Sequence, residues 1–240
     1  MIIYISIASF IATLLGGIFA LRFKDKLHLI LGFSAGAVIG VAFFDLIPES
    51  IEISSGIYDI SSITLITAIG FIIYMILDRT IFFHSHNDHD EQDIHNKRGI
   101  LGATSLSLHS LLDGIAIGIA FQVSSELGLV VAIAVLVHDF SDGLNTVNMI
   151  IKNNGSKKSA FKWLIVDSLA PVLGVISTMF FTLPTNILSI VLAIFAGSFL
   201  YIGASDLLPE SHHNHPTIWT TVATILGILS LYGIITIAKI

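Results

Sequence analysis

Two histidine–aspartate pairs stand at one-turn spacing in apolar surroundings: His109 and Asp113 within His109-Ser110-Leu111-Leu112-Asp113-Gly114, and His138 and Asp142 within His138-Asp139-Phe140-Ser141-Asp142-Gly143. Residues four apart share a helix face, so each pair can converge on one ion. Both pairs fall near the middle of long apolar runs, where an ionised carboxylate is tolerated only against a partner, water or a cation. No Lys or Arg lies in those runs to neutralise Asp113, Asp139 and Asp142. A lone buried His such as His109 commonly serves an interhelical hydrogen bond. Two His and three carboxylates at one depth point instead to a bound cation. Imidazole with carboxylate suits a divalent transition metal such as zinc or iron, whereas calcium and magnesium call for oxygen shells. The chain has no cysteine, which excludes thiolate zinc sites, disulfides and iron–sulfur clusters.

Further polar residues surround this centre. Asp167 falls roughly 6 Å to the cytoplasmic side of the midplane at helical rise, as an extra ligand or relay. Pro171, one turn later, either frees a carbonyl toward the site or merely kinks its helix. Asp45-Leu46-Ile47-Pro48-Glu49-Ser50 and Asp206-Leu207-Leu208-Pro209-Glu210-Ser211 put acidic pairs at opposite ends of the protein. They either end helices at the interface or form two mouths of a cation path, with Asp45 and Glu49 at the entrance and Asp206 and Glu210 at the exit. Asp78, His212, His213 and His215 can join the exit. His84, His86, His89 and His95 belong to a polar segment, 84–98, expected to be a disordered cytoplasmic loop: a weak metal buffer or an ordinary connector. Gly32, Gly36 and Gly40, and Gly114 with Gly118, mark close helix contacts or a sliding surface.

The elements that must position these residues are membrane spans. Of 240 residues 54% are apolar and 12% charged, with mean hydropathy +0.90, too greasy for a soluble domain. Spanning runs fall at about Ile2–Leu21, Leu27–Ile51, Ile63–Phe83, Ile100–Gln122, Leu127–Ile151, Ala160–Thr182, Asn186–Leu208 and Ile218–Ala238. The expected fold is thus an all-α polytopic membrane protein of eight helices in a single domain, 1–240. The first run lacks a basic start and a convincing cleavage site, so it counts as a span rather than a leader. Ten of the eleven Lys and Arg lie on one side, which places that side in the cytoplasm and both termini outside. Asp206 follows Asp45 by 161 positions, and the shared offset maps the second span onto the seventh. Helices one to three would repeat, inverted, in six to eight, with four and five between. The formal charge of −6 gives no reason to expect nucleic acid.

With these motifs the sequence resembles the ZIP family of divalent metal transporters, bacterial type, over nearly its whole length. His109, Ser110, Asp113 and Gly114 resemble the family's HNxPEG pattern, and His138, Asp139, Asp142 and Gly143 its helix-five counterpart. The resemblance implies uptake of zinc, or of iron, manganese or cadmium, into the cytoplasm through a central, commonly binuclear site. It also implies a homodimer in the plasma (inner) membrane, with helices one, four, five and six moving against two, three, seven and eight. Ser110 replaces the family Asn, Leu112 and Ser141 its prolines, Asp113 and Asp142 its glutamates, and Ala170 a common helix-six Glu, for which Asp167 partly stands in. The rival readings are a membrane-embedded zinc hydrolase, with metal-bound water as nucleophile, and a transporter of protons or another cation. The expectation is a transporter, not an enzyme.

Overall fold

The computed structural model describes residues 1–22, 27–83, 91–212 and 218–238. The chain forms α1 (Ile2–Arg22), α2 (Leu27–Val41), α3 (Ile47–Ile53), α4 (Ile60–Phe83), α5 (Glu91–Val123), α6 (Ser125–Lys152), α7 (Lys157–Thr178), α8 (Thr185–Tyr201), α9 (Leu208–His212) and α10 (Ile218–Ala238). One π-helical turn, Ala42–Leu46, joins α2 to α3, and another, Ile202–Leu207, joins α8 to α9. Counted as continuous rods, eight helices among the described residues are long and apolar enough to cross a membrane. The protein is an all-α polytopic membrane protein.

Its pattern of burial suits a lipid solvent. Tyr4, Leu65, Leu173 and Leu229 are exposed, while Ser9, Thr13, Ser34, Thr146 and Ser168 are fully buried. Hydroxyls inside the bundle find acceptors, often the carbonyl one turn earlier, as Ser168 does with Leu164 (2.7 Å).

The helices sort into two groups. In one, α1 lies on α6 and α5 on α7; in the other, α2 lies on α10 and α4 on α8. Exchanging spans one to three with six to eight, and four with five, carries each pairing into its group mate, as an inverted repeat requires. The π-helical turns strengthen this correspondence. Ile47 N–H bonds Ala42 O, and Leu208 N–H bonds Gly203 O, the same atoms at the 161-residue offset. Pro48 and Pro209 explain both turns: each lacks an N–H, and its ring would strike the carbonyl four residues back unless the helix widened.

Two connections carry side-chain caps. Ser124, the single residue between α5 and α6, accepts a hydrogen bond from Leu127 N–H (3.0 Å), and Ser156 caps α7 through Ser159 N–H (3.1 Å). That cap starts α7 at Lys157, before the expected Ala160, and the helix ends at Thr178 rather than Thr182. Outside the spans, Ser62 donates to Asp59 at the start of α4 and holds that carboxyl below its ordinary range.

One expectation needs correction. Residues 91–98, placed in a disordered loop 84–98, begin α5. Polar composition suggested a loop, yet Glu91, Gln92, Lys97 and Arg98 are good helix formers. The glycine stripes mark close helix contacts, the first of their two readings. A Cβ on Gly36 or Gly40 would meet Thr224 or Ile228 of α10, and one on Gly114 or Gly118 would meet Pro171 or Thr178 of α7. These contacts lie within a group.

Candidate metal centre

Helices α5 and α6 form a hairpin about Ser124, and His109 and His138 lie fifteen and fourteen residues from that turn. At 1.5 Å per residue they are within about 2 Å of one depth. Their rings stack with centroids 5.6 Å apart. Asp113 lies one turn toward the connection and Asp142 one turn away from it, so the carboxylates approach the imidazoles from opposite ends.

Asp113 Oδ2 is 3.1 Å from His109 Nε2 and 3.2 Å from His138 Nε2. Asp142 Oδ2 is 3.6 Å from His109 Nε2 and 3.8 Å from His138 Nε2. One donor atom from each of the four residues lies within 4.8 Å of all the others, and all four residues are buried. A tetrahedral ion with bonds of about 2.0–2.1 Å spaces its donors about 3.3–3.4 Å apart. The four histidine–aspartate separations bracket that value.

The hydrogen bonding also leaves room for a cation. His138 Nδ1 is 2.9 Å from Ala134 O, an acceptor only, so Nδ1 carries a proton, and Nε2 faces Asp113 Oδ2 at 3.2 Å. In the neutral ring Nε2 presents a lone pair at that point, the form in which imidazole ligates a metal. Buried His109 Nε2 and Asp142 Oδ2 have no hydrogen-bond partner among the described residues. Side chains of the other helix group wall the site. Tyr74 of α4 meets the His109 ring edge-on (5.8 Å), and Phe199 of α8 meets that of His138 (6.0 Å). An apolar cavity of about 220 Å³ between α4 and α5 reaches His109 from the side of Leu108 and Leu112.

Two expected ligands face elsewhere. Asp139, one residue past His138, is rotated about 100° around α6 and accepts a hydrogen bond from Ser9 of α1. Asp167 accepts hydrogen bonds from Ser110 (2.8 Å) and Thr146 (2.7 Å). Neither carboxylate joins the four-donor group. Asp45 is buried in the first π-helical turn and Glu49 half-buried on α3, both apart from the group. Glu210 is half-buried on α9. His84, His86, His89, His213 and His215 lie outside the described residues, as do the side chains of Asp78, His95, Asp206 and His212.

Ser9 and Thr146 were not singled out from sequence. Their signal was present: Thr146 is one turn from Asp142, and Ser9 is a hydroxyl mid-way along an apolar span.

A family profile described as "ZIP Zinc transporter" matches residues 84–239. The chain is 25% identical over 227 residues to "Zinc transporter YKE4" of Saccharomyces cerevisiae, covering 81% of this chain and 65% of that protein. It is 23% identical over 241 residues to "Zinc transporter zipt-7.1" of Caenorhabditis briggsae, covering 77% and 62%. With "Zinc transporter foi" of Drosophila melanogaster it shares 32% identity over 127 residues, 53% of this chain and 18% of the other. The chain thus spans less than two thirds of these relatives.

Proposed function

This chain belongs to the ZIP zinc transporter family, and from that premise we propose that it carries divalent transition-metal ions, zinc first among them, into the cytoplasm through the His109–Asp113–His138–Asp142 site. The carrying observation is the four-donor geometry, with histidine–aspartate separations of 3.1–3.8 Å and all four donors within 4.8 Å of one another at the level of two stacked imidazoles. Two carboxylates cancel the charge of a dication, which makes burial inside the bilayer tolerable. Nitrogen donors disfavour calcium and magnesium and leave iron, manganese and cadmium as secondary cargo.

Asp45 and Glu49 serve as the entrance in this reading, and Glu210 with Asp78, Asp206, His212 and His213 as the exit. The segment bearing His84, His86, His89 and His95 buffers released metal. The membrane is the cytoplasmic one, the protein a homodimer, and α1, α5, α6 and α7 move against the other four spans.

Purified full-length protein should bind one zinc ion tightly per chain and, in liposomes, take up zinc down its gradient. Protein that binds no zinc and conducts only protons would favour the proton-transporter reading. Zinc-dependent hydrolysis without flux would favour the hydrolase.

Orientation has its own test. Because the chain has no native cysteine, Ser55→Cys, exposed in the turn between α3 and α4, can be labelled alone. An impermeant thiol reagent should modify it on intact cells, since the Lys and Arg lie on the other side. Labelling only after permeabilisation would reverse the topology.

A further inference from the structure

Asp167 is a buried carboxylate whose two oxygens each accept one hydroxyl hydrogen bond, Oδ1 from Ser110 of α5 and Oδ2 from Thr146 of α6. Ser110 directly follows His109, and Thr146 is one turn beyond Asp142. The carboxylate therefore bridges, from α7, the two helices that carry all four metal donors.

We propose that Asp167 is a positioning residue rather than a ligand: by joining Ser110 to Thr146 it sets the spacing of α5 and α6, and hence the donor separations at the metal. This role rests on the metal-site reading above. Several features support it. Both Asp167 oxygens are engaged, so swinging toward the ion would break both bonds. The bonds, 2.7 and 2.8 Å, have the usual length of a well-formed O–H···O hydrogen bond. The donor distances depend on helix spacing, because His109 and Asp113 come from α5 while His138 and Asp142 come from α6. Closer anchoring of α5 alone would be redundant, since Ser110 can already donate to Leu106 O in its own helix (3.1 Å).

That alternative acceptor makes a decisive variant available. In Asp167→Asn the side-chain carbonyl can accept from Thr146. The amide can donate to Ser110 Oγ while Ser110 gives its proton to Leu106 O. The bridge survives and the negative charge does not. Asp167→Ala removes both, and Ser110→Ala with Thr146→Val removes the bridge while keeping the carboxylate.

Zinc titrations of the full-length protein in detergent, against a competing chelator, separate the roles. Asp167→Asn should retain wild-type affinity and ion count. Asp167→Ala and the Ser110→Ala/Thr146→Val pair should each weaken zinc binding about 10- to 100-fold without changing the number of ions, and combining all three should add little. If Asp167→Asn fails as badly as Asp167→Ala, or if an ion disappears while the remaining one is held normally, Asp167 is a ligand and the proposal falls. It falls equally if the variants lower only thermal stability and leave the affinity of the folded fraction unchanged. Should Asp167→Ala not fold, the Asn variant and the hydroxyl pair still decide the matter. Wild-type protein that binds no zinc would overturn the metal site itself, and this role with it.

Discussion

Asp113→Ala is expected to lose tight zinc binding and reduce uptake to the level of empty liposomes. Its Oδ2 is the donor nearest to both imidazoles, 3.1 Å from His109 Nε2 and 3.2 Å from His138 Nε2, so removing it opens the centre of the site rather than one edge. Loss of residues that merely orient ligands costs about 10- to 100-fold in metal affinity, and loss of this ligand should exceed about 100-fold. The fold should survive. Asp113 is buried with Oδ2 against two imidazoles that can both stay neutral once it is gone, so its removal leaves neither of them as an unpaired buried charge. The metal-free variant should melt near the metal-free wild type. Zinc at one hundred times the wild-type Kd should stabilise the wild type by about 2.7 kcal/mol and the variant hardly at all. Glu49→Gln and Glu210→Gln, away from the four-donor group, should retain binding. An Asp113→Ala protein that holds zinc within tenfold of wild type would remove the site from the mechanism.

How much of this centre could be read beforehand follows helix geometry. The i, i+4 spacing places His109 with Asp113 and His138 with Asp142 whatever the tertiary fold, and the structure brings both pairs to one point. Asp139 and Asp167 were legible as deep carboxylates but not in their direction. Which neighbour a helix turns toward is decided by packing, and Ser9 and Thr146 lie 130 and 21 residues away along the chain from the carboxylates they satisfy. The repeat was visible as six letters at a fixed offset, whereas the paired π-helical turns arise from backbone sterics around Pro48 and Pro209. The helical start at Glu91 escaped because periodicity marks an apolar face, and a helix end standing in water has none.

The glycines tell the two helix groups apart more sharply than the polar residues do. Among the described residues, every glycine whose Cβ would strike a neighbouring helix would strike one of its own group. The contacts are reciprocal: Gly16 and Gly143 at α1–α6, Gly114 and Gly174 at α5–α7, Gly36 and Gly227 at α2–α10, Gly70 and Gly197 at α4–α8. At the α2–α6 seam between the groups, hydroxyls take their place. Ser34 donates to Val137 O (2.9 Å) and lies 3.2 Å from Ser141 Oγ. Backbones interlocked at glycine make each group rigid, while a few exchangeable hydrogen bonds leave the seam free to shear, as the proposed alternation of access requires.

Gly143→Leu and Gly36→Leu should therefore be the most destructive substitutions outside the metal site. A Cβ on Gly143 would overlap Thr13 O, and one on Gly36 would overlap Thr224 O. The obstacles are backbone atoms of a facing helix, which cannot change rotamer, so the helices must separate and void the packing on either side. Overpacking that side chains can absorb costs about 1–3 kcal/mol, and these variants should reach or exceed about 3 kcal/mol. Gly233→Leu on α10 is the control, because nothing lies within 4 Å of its Cβ position. Each protein should be followed in detergent by gel filtration and thermal melting. The first two should aggregate or melt far below wild type, and Gly233→Leu should match it. The site sharpens the comparison: Gly143 adjoins Asp142 and its crossing holds the Ser9–Asp139 bond, so any folded Gly143→Leu should bind zinc poorly, whereas folded Gly36→Leu should bind it normally. A Gly143→Leu protein with the wild-type melting point would mean that α1 and α6 do not cross as closely as the structure has them.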